Sequence, residues 1–243
     1  MFNSKDNVIM IVQARMGSTR LPGKSMMELA GAPLITRLLE RVKRCHEIDK
    51  IVLATTYKTE DDPIEEAGVK LDIDVFRGSE NDLLDRYYKA AIAYNADIII
   101  RLPGDQPAPE AQEIDNLVLF HKNGHYDFSS NIPDVVDNGY PDGIGAEAYS
   151  INALEHVWMT SIDPRKREHP HFNFYENSAR FHLGIMQCRD EIRRPDLKID
   201  VNTQEEYDFV HELYRYLYPR NPEFTIIDII YWYDNIYLKE RII

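Results

Sequence analysis

Three cationic side chains lie within ten residues of one another, directly after a short apolar run. The segment ARMGSTRLPGKS, residues 14–25, holds Arg15, Arg20 and Lys24 among glycine, serine and threonine. Guanidinium groups bind phosphate oxygens in pairs, a lysine adds a mobile point charge, and backbone and hydroxyl donors can share the same anion. This composition predicts a phosphate-binding loop, with a solvated basic loop as the alternative. Three cations suit a triphosphate better than a monophosphate.

The spacing of the glycines excludes a P-loop. That motif has four residues between its two glycines, so that successive backbone N–H groups curl around one phosphate, whereas five residues separate Gly17 from Gly23. Pro22 also removes one backbone donor from the loop. The segment therefore predicts a phosphate loop that depends on its side-chain cations.

Two aspartates follow apolar runs and are candidate metal ligands. Asp105 lies in the Gly/Pro turn RLPGDQP, and Asp200 lies in LKIDVNTQEEYD. Magnesium takes one or two carboxylates together with phosphate oxygens, so two such residues at strand ends could form its site. For Asp105 alone, an ordinary turn residue is an equally good interpretation.

Histidine and cysteine give weaker signals. His169 and His171 form an H-x-H pair, but the sequence indicates no third zinc ligand, so lining an acceptor site or packing on a helix is the favoured interpretation. The two cysteines are Cys45 and Cys188. Two thiols without an adjacent histidine predict buried bystanders, not a disulfide framework, a four-cysteine zinc site or a nucleophile.

The charge of the chain restricts its partners. Its 243 residues carry a formal net charge of -13, and 44% of them are hydrophobic. Nucleic acids and anionic membranes bind basic surfaces, so the charge argues against both, and any phosphate site must be local. No apolar run has the length of a membrane span or of a signal-peptide core. We expect a cytoplasmic protein with one domain, residues 1–243.

Apolar runs alternate with amphipathic stretches in the first half, which predicts an α/β fold with a mostly parallel sheet. The predicted strands are VIMIVQAR, KIVLATT, DVFRG and DIIIRLPGD, and helices are predicted in PLITRLLERVKRC and ENDLLDRYYKAAIAYN. Ligands bind beyond the carboxyl ends of the strands in such sheets. We therefore expect Arg15, Thr55, Arg77 and Asp105 to meet along one edge.

The second half is less regular. YDFSSN, GIGAEAYS, FHLGIMQC and LKIDV predict short strands, and PRKREHPHFNFYEN predicts a helical or mixed segment. The C-terminal segment FTIIDIIYWYDNIYLKERII is rich in Ile and Tyr. Apolar residues at helical spacing predict that this helix packs in the core or against another copy of the chain.

Together these segments resemble the bacterial sugar-acid cytidylyltransferases. The resemblance begins in IVQARMGSTRLPGKSMMELAGAPLI and continues through IVLATT, DDPIEE, VFRGSENDLLDRYYKAA, ADIIIRLPGDQP, YPDGIGAEAYS, KREH and IDVNTQEEYDFV, over nearly the whole chain. The family includes enzymes that activate 3-deoxy-manno-octulosonate and sialic acids, and above all the related spore-coat polysaccharide biosynthesis proteins. It implies a Rossmann-like, mostly parallel sheet flanked by helices, of the nucleotide-diphospho-sugar transferase type, with a small β-rich excursion.

The resemblance also implies roles for individual residues. The loop would wrap the triphosphate of CTP, and Asp105 and Asp200 match the pair that holds Mg²⁺. Residues 54–55 and the turn 77–79 would lie near the base and ribose. The implied nucleotide-binding residues are Ala14, Arg15, Gly17, Ser18, Arg20, Lys24, Ala54, Thr55, Arg77, Gly78 and Ser79. The implied catalytic residues are Arg15, Lys24, Asp105 and Asp200.

The acceptor side shows departures from the family pattern. The implied acceptor-binding residues are Gln106, Asp142, Glu147, Glu168 and His169. Most relatives have a carboxylate where this chain has Gly145, and Thr and Cys are commoner where it has Pro103 and Gln106. We expect the missing carboxylate to leave more room and to change hydrogen bonding to substrate hydroxyls. An acceptor other than 3-deoxy-manno-octulosonate is therefore expected.

The expected activity is Mg²⁺-dependent transfer of CMP from CTP to a sugar-acid or sugar acceptor, with release of pyrophosphate, for surface polysaccharide biosynthesis by a homodimer. Transfer from a nucleotide-sugar donor is the alternative, but Gly104 precedes a lone Asp105 where many metal-dependent glycosyltransferases have D-x-D. The DID at 72–74 precedes the VFRG strand and is poorly placed for that role. An idle nucleotide-binding subunit is disfavoured, because the loop cations and both aspartates are present.

Overall fold

Strands and helices alternate along most of the chain. The computed structural model describes residues 6–133 and 135–240. Its strands are β1 (Val8–Gln13), β2 (Glu28–Leu29), β3 (Ala32–Pro33), β4 (Lys50–Thr56), β5 (Asp74–Gly78), β6 (Ile98–Pro103), β7 (Phe128–Ser130), β8 (Glu147–Ser150) and β9 (Leu183–Ile185). Its α-helices are α1 (Leu34–Val42), α2 (Asp62–Lys70), α3 (Leu83–Ala93), α4 (Ala111–Gly124), α5 (Ile151–Thr160), α6 (Pro164–Glu168), α7 (Phe172–Tyr175), α8 (Gln204–Leu217), α9 (Ile226–Trp232) and α10 (Leu238–Glu240). None of the helices in these two ranges is long and apolar enough to cross a membrane.

The described strands form a seven-stranded sheet and a small hairpin. The order in the large sheet is β5-β4-β1-β6-β8-β7-β9, and only β8 runs antiparallel to its neighbours. β2 and β3 form the antiparallel hairpin. The predicted α/β fold, with a mostly parallel sheet between helices, is confirmed. The short strands of the second half, β7, β8 and β9, belong to the large sheet. The small separate β element is the hairpin of β2 and β3, which lies in the first half.

The prediction of a strand in LKIDV is wrong. Lys198 forms one isolated parallel bridge with Asp142, and the N–H of Asp142 donates to the carbonyl oxygen of Leu197 at 2.9 Å. Gly143 permits this close approach: it has φ 97°, and a Cβ there would lie 2.5 Å from the backbone nitrogen of Asp200. The segments around Asp142 and Lys198 therefore pair over a single bridge, and this contact brings Asp142 close to Asp200.

The sheet is buried because apolar layers cover both of its faces. Side chains alternate along a strand, so Met10 and Val12 of β1 pack in the layer that contains α1, α2 and α4. Ile9 and Ile11 pack in the layer that contains α3 and α5. The apolar run of β1 thus reflects burial on both faces, which is typical of a central parallel strand.

The C-terminal helices belong to a third apolar cluster. Ile226, Ile229 and Trp232 of α9 are at most 1% exposed and pack with residues of α8. The predicted packing of this segment in the core is confirmed for these side chains. Its contact with another copy of the chain stays a prediction, and residues 241–243 lie outside the described residues.

Gly104 lets the end of β6 approach the end of β1. A Cβ at this position would lie 2.0 Å from the carbonyl oxygen of Gln13, so only glycine fits without displacing backbone. Gln13 pairs with Pro103 in the parallel register of these two strands. The residues that follow, Ala14 and Asp105, therefore leave the sheet side by side.

Gly145 does not enlarge a substrate site, contrary to the expectation from the sequence. A Cβ there would lie 2.5 Å from Oδ1 and 2.9 Å from the carbonyl oxygen of Asn131. Asn131 is fully buried and accepts the N–H of Ala146 at 2.7 Å, while its Nδ2 donates to the carbonyl oxygen of Glu113 at 3.1 Å. The glycine serves close packing, and protein atoms fill the space beside it.

Gly145→Ala is expected to lower the free energy of unfolding by about 1–3 kcal/mol, because the added methyl group must displace the buried Asn131. Gly17→Ala is the matched control, since its Cβ would meet only the flexible ends of Glu80 and Glu60, at 3.5 and 3.6 Å. Urea denaturation of both variants and the parent measures the difference. Equal stability of Gly145→Ala and the parent would contradict this packing.

Candidate active site

A cavity of about 450 Å³ lies beyond the carboxyl ends of β1 and β6, where open α/β sheets bind ligands. Its walls come from the loop after β1, the turn after β6, the start of α3, the connection between α6 and α7, and the segment before α8. The predicted site residues that line it are Ala14, Arg15, Ser18, Arg20, Lys24, Asp105, Gln106, Asp142, Glu168, His169 and Asp200.

The loop after β1 folds around the backbone of Met16. The Met16 carbonyl oxygen accepts the N–H groups of Ser18 at 2.9 Å and of Gly23 at 3.0 Å. The Met16 N–H donates to Oδ1 of the buried Asp61 at 2.7 Å. Gly23 has φ 73°, the left-handed conformation that glycine adopts without strain, and a 3₁₀ turn, Lys24–Met26, follows it. These contacts bring the lysine of that turn to the cavity.

Lys24 joins the loop to two other parts of the cavity wall. Its Nζ donates to Oδ2 of Asp105 at 2.8 Å, to the carbonyl oxygen of Val201 at 2.7 Å and to Oδ1 of Asn202 at 3.3 Å. The Lys24 side chain is 12% exposed, so water screens the ion pair with Asp105 only weakly. A flexible ammonium in this position can move from the carboxylate to phosphate oxygens.

The two arginines of the loop reach different walls. Arg15 donates through Nη1 to the carbonyl oxygen of Glu80 at 3.1 Å and through Nη2 to Oε1 of Glu168 at 3.3 Å. Arg20 donates through Nη2 to Oδ1 of Asn202 at 2.7 Å. The contacted groups are half-buried or exposed, so an anion in the cavity can compete for these donors.

Three carboxylates lie close together in the cavity. Burial, followed by the charges of Asp142 and Asp105, raises the pKa of Asp200 to about 7. Oδ1 of Asp200 is buried and has no hydrogen-bond partner among the described residues, while Oδ2 accepts from Nδ2 of Asn202. A carboxylate that lies beside two others and has one unbonded oxygen is suited to bind a divalent cation. The positive charge of the cation would attract the carboxylates and offset their mutual repulsion.

Asp105 and Asp200 are the side chains that could hold Mg²⁺. Residues 6–133 and 135–240 contain no group of three or more His, Cys, Asp or Glu side chains arranged to hold a metal ion. Magnesium does not require one, because one or two carboxylates and the oxygens of a bound phosphate commonly complete its site. Of the H-x-H pair, Nδ1 of His171 lies 3.0 Å from Oε1 of Glu147, so this ring is already directed at a carboxylate.

Several buried polar atoms on the cavity wall have no hydrogen-bond partner among the described residues. They are Oε1 of Gln13, Nε of Arg86, Nε of Arg101, Oε1 of Gln106, Nδ1 of His171 and Oδ1 of Asp200. Buried polar groups in folded proteins are almost always bonded to protein, water or a ligand. Arg86 is 3% exposed, and its Nη1 donates to the carbonyl oxygen of Ser79 at 2.7 Å, whereas its Nε has no partner among the described residues. Burial lowers its pKa. The wall therefore offers unused donors and acceptors to a ligand.

Part of the predicted nucleotide site does not reach the cavity. The residues concerned are Gly17, Ala54, Thr55, Arg77, Gly78 and Ser79. Ala54 and Thr55 are fully buried in β4, and Arg77 binds the carboxylates of Asp62 at 2.5 Å and Glu65 at 2.8 Å. The ends of β1, β4, β5 and β6 share one edge, but the cavity lies only at β1 and β6. The nucleotide roles of these six residues stay predictions.

Glu147 lies behind the cavity wall. Its side chain is 3% exposed, and Arg101 and His171, which it contacts, line the cavity in its place. Burial raises the pKa of Glu147, but the charges of Arg101 and His171 outweigh burial and hold that pKa well below its usual range. The predicted direct contact of Glu147 with an acceptor does not fit this geometry, because a buried carboxylate cannot reach a molecule in the cavity.

Several residues of the cavity were not predicted from the sequence: Gln13, Thr19, Ser25, Leu83, Arg86, Arg101 and Asn202. Arg101 is a lone charge in the apolar strand IIIRLP, and Arg86 follows Leu83 by three residues on the buried face of α3. A charged residue at a position that periodicity assigns to the core is the signal that could have identified both arginines.

The cysteines lie outside the cavity lining. Cys188 is buried and Cys45 is half-buried. Burial raises the pKa of both thiols, that of Cys188 to about 11. Thiols with raised pKa values are poor nucleophiles near neutral pH, in line with the prediction that they are bystanders.

Comparisons of the sequence and of the structure with known proteins agree on one family. Over residues 9–225 the chain matches the family model described as cytidylyltransferase. It is 30% identical over 215 residues to the spore coat polysaccharide biosynthesis protein SpsF of Bacillus subtilis, a match that covers 86% of this chain and 87% of that protein. A cytidylyltransferase structure from Leptospira borgpetersenii serovar Hardjo-bovis superposes with a TM-score of 0.87 at 31% identity, covering 98% and 97% of the two chains. CMP:2-keto-3-deoxy-manno-octonic acid synthetase complexed with CTP shares the fold, with a TM-score of 0.66 at 16% identity over 85% of this chain and 98% of that one.

Asp200→Asn is expected to stabilise the metal-free protein at pH 8 by about 1–3 kcal/mol. The raised pKa means that the folded state binds the Asp200 proton more tightly than the unfolded state. The resulting cost to folding is absent below about pH 4, grows as pH rises, and is complete above about pH 7. The gain from Asn should therefore be clearly smaller at pH 5 than at pH 8.

Denaturant unfolding in EDTA at the two pH values measures this gain. Asp74→Asn is the control, because Asp74 forms an exposed ion pair with Lys50, and its loss should change stability by about 1 kcal/mol or less. A stability of Asp200→Asn at or below that of the parent at pH 8 would contradict the cost inferred for an ionised Asp200 that is buried beside two other carboxylates.

Proposed function

This chain belongs to the cytidylyltransferase family, and from that premise we propose that it transfers CMP from CTP to a sugar-acid or related sugar acceptor, with release of pyrophosphate. The observation that carries the proposal is the meeting of the cationic loop with Asp105 and Asp200 in one cavity beyond β1 and β6. Such a cavity can neutralise a triphosphate with its cations and hold a divalent metal with its carboxylates.

We place this activity in surface polysaccharide biosynthesis in the cytoplasm. The support is that the Bacillus subtilis relative is named for spore coat polysaccharide biosynthesis. We further propose a homodimer. Ile227 and Tyr231 of α9 are 53% and 64% exposed, and they are the apolar side chains that we assign to contact between two copies.

Arg15, Arg20 and Lys24 would bind the phosphate oxygens of CTP. A triphosphate adds several negative charges beside Asp105 and Asp200, and these cations must offset that repulsion. The three side chains donate hydrogen bonds to Glu168, Asn202 and Asp105, groups that they can exchange for phosphate oxygens. Lys24 is largely buried, so its charge is the least screened by water, and its loss should weaken nucleotide binding strongly.

Asp105 and Asp200 would hold Mg²⁺ beside the phosphates. The unbonded Oδ1 of Asp200 supports this assignment, and movement of Lys24 to a phosphate would free Oδ2 of Asp105. Bound there, Mg²⁺ would neutralise phosphate charge and lower the pKa of the acceptor hydroxyl. The remaining requirement for attack on the α-phosphorus is alignment of the two substrates, which the cavity walls must supply.

Gln106, Asp142, Glu168 and His169 are the side chains that we assign to the acceptor. Gln106 is 3% exposed with its Oε1 unbonded among the described residues, so this oxygen can accept a hydrogen bond from a sugar hydroxyl. Gln106 is also the departure that still supports an acceptor other than 3-deoxy-manno-octulosonate. Gly145 gives no such support, because it packs against Asn131.

Pyrophosphate release tests the reaction itself. With Mg²⁺ and a panel of sugar acids, sugars and sugar phosphates, the protein is expected to release pyrophosphate from CTP, much more slowly from UTP or ATP, and not in EDTA. An assay coupled to inorganic pyrophosphatase, which converts each released pyrophosphate to two phosphate ions, measures it. Release of a nucleoside diphosphate from a nucleotide-sugar donor, with no pyrophosphate from CTP, would support glycosyl transfer instead.

Lys24→Ala is expected to weaken CTP binding about tenfold or more, because a charge-assisted hydrogen bond to phosphate contributes roughly 1.5–3 kcal/mol. Lys50→Ala is the matched control: Lys50 pairs with Asp74 at 2.6 Å, but it begins β4 at the opposite edge of the sheet. Titration calorimetry gives both affinities, and circular dichroism checks the fold. A folded Lys24→Ala variant with the affinity of the parent would refute the phosphate-loop assignment.

A further inference from the structure

Glu147 is the centre of a buried cluster directly behind the cavity. The antiparallel register of β6 and β8 places it opposite Arg101, whose Nη1 donates to Oε2 of Glu147 at 2.8 Å. Nδ1 of His171 lies 3.0 Å from Oε1 of Glu147, and the hydroxyl of Tyr149 donates to Oε2. The side chains of Glu147, Arg101 and His171 are 3%, 7% and 6% exposed.

Arg101 and His171 also face the cavity, which both of them line. Nη1 of Arg101 is engaged with Glu147, whereas its Nε is buried without a hydrogen-bond partner among the described residues. Nδ1 of His171 lies beside Oε1 of Glu147, although the two atoms do not meet with hydrogen-bond geometry. The Nε2 atom of His171 is then the ring nitrogen that can meet a molecule in the cavity.

Stability of the fold does not account for this cluster. A buried ion pair contributes little net stability, because desolvation of both groups offsets their attraction, and apolar side chains often replace such a pair without loss. Arg101 lies in the wall of the cavity with Glu147 directly behind it, and an apolar side chain in place of Arg101 would have removed its guanidinium donors from that wall. Because the loop cations serve the triphosphate in the proposed function, the wall formed by Arg101 and His171 is left for the acceptor.

We propose that Glu147 is a positioning residue for acceptor binding, which fixes the guanidinium of Arg101 and the imidazole of His171 so that both contact the acceptor. This inference rests on the proposed function. Glu147 itself does not touch the acceptor. The group that meets these side chains is rich in oxygen, as a carboxylate or a set of hydroxyls is.

Glu147→Gln tests the role, because it keeps the shape of the side chain and removes its charge. The KM for the acceptor is expected to rise roughly 10- to 100-fold, since small displacements of positioning groups have effects of this size. The Kd for CTP, measured by calorimetry, should stay within about twofold. Tyr149→Phe removes one hydrogen bond to Glu147 and should shift the KM in the same direction by less. It also provides the test if Glu147→Gln does not fold.

Glu113→Gln is the matched control. Glu113 is 1% exposed and likewise accepts hydrogen bonds from an arginine and a tyrosine, Nε of Arg189 at 3.0 Å and the hydroxyl of Tyr140 at 2.7 Å. It does not line the cavity. Its variant should lose stability and keep the acceptor KM of the parent.

Arg101→Gln, alone and together with Glu147→Gln, separates a positioning role from a structural one. If Glu147 acts partly through Arg101, the effects of the two substitutions are not independent, and the double variant should lose less kcat/KM than the product of the two single losses. Two results would overturn this inference and leave the proposed function standing. One is an active Glu147→Gln variant with the acceptor KM of the parent. The other is a Glu147→Gln variant whose Kd for CTP rises by the same factor as its KM for the acceptor. A parent protein that binds CTP yet transfers CMP to no acceptor would refute the proposed function and this inference with it.

Discussion

Mutual repulsion of three carboxylates in a partly buried wall is the constraint on which the site depends. Asp105, Asp142 and Asp200 would separate if the chain were free to relax, and two backbone contacts prevent this. The N–H of Val201 donates to the carbonyl oxygen of Asp105 at 2.8 Å, and Gly143 lets the backbone beside Asp142 approach that of Asp200. Burial of Asp200 and, after it, the charges of Asp142 and Asp105 raise the pKa of this carboxyl group. Strain of this kind is often stored where a ligand will relieve it.

The parallel sheet supplies the opposing charge. β1 and β6 are neighbours, and the missing side chain of Gly104 lets their ends meet, so the loop after β1 comes to lie beside Asp105. Lys24 then bonds that carboxylate and the backbone of Val201 at once. We propose that the same ammonium binds phosphate when CTP is bound, and that Asp105 is then available to a metal ion. The apolar layers on both faces of the sheet supply the stability that the crowded carboxylates reduce.

Features encoded by neighbouring residues could be predicted from the sequence. Each of β1, β4, β5 and β6 is an apolar run followed by polar residues, and their common edge followed from that pattern. The loop cations and Asp105 are therefore found in one cavity. Arg77 shows the limit of the same reasoning: it lies at the predicted edge, but its partners Asp62 and Glu65 come from α2, and no local pattern indicates that pairing.

Long-range pairing and packing could not be predicted. Glu147 was identified as a site residue, but its burial depends on the antiparallel entry of β8 between β6 and β7, which places it opposite Arg101. Gly145 was interpreted from the carboxylate that most relatives have at this position, whereas its role follows from Asn131, whose side chain and backbone pack against it. Arg101 was not among the predicted site residues, although a charged residue in the middle of an apolar strand indicates either a buried partner or a functional site.

The central claim is that the cavity breaks the bond between the α- and β-phosphorus of CTP and passes the nucleotidyl group to an acceptor. The most direct measurement follows the phosphorus atoms: CTP radiolabelled at its α-phosphorus is incubated with the protein, Mg²⁺ and the acceptor panel, and the products are separated. The account predicts that the label enters an acceptor-linked product while unlabelled pyrophosphate is released. Label that stays in CTP with every acceptor, although CTP binds, or that is recovered only as free nucleotide, would contradict it.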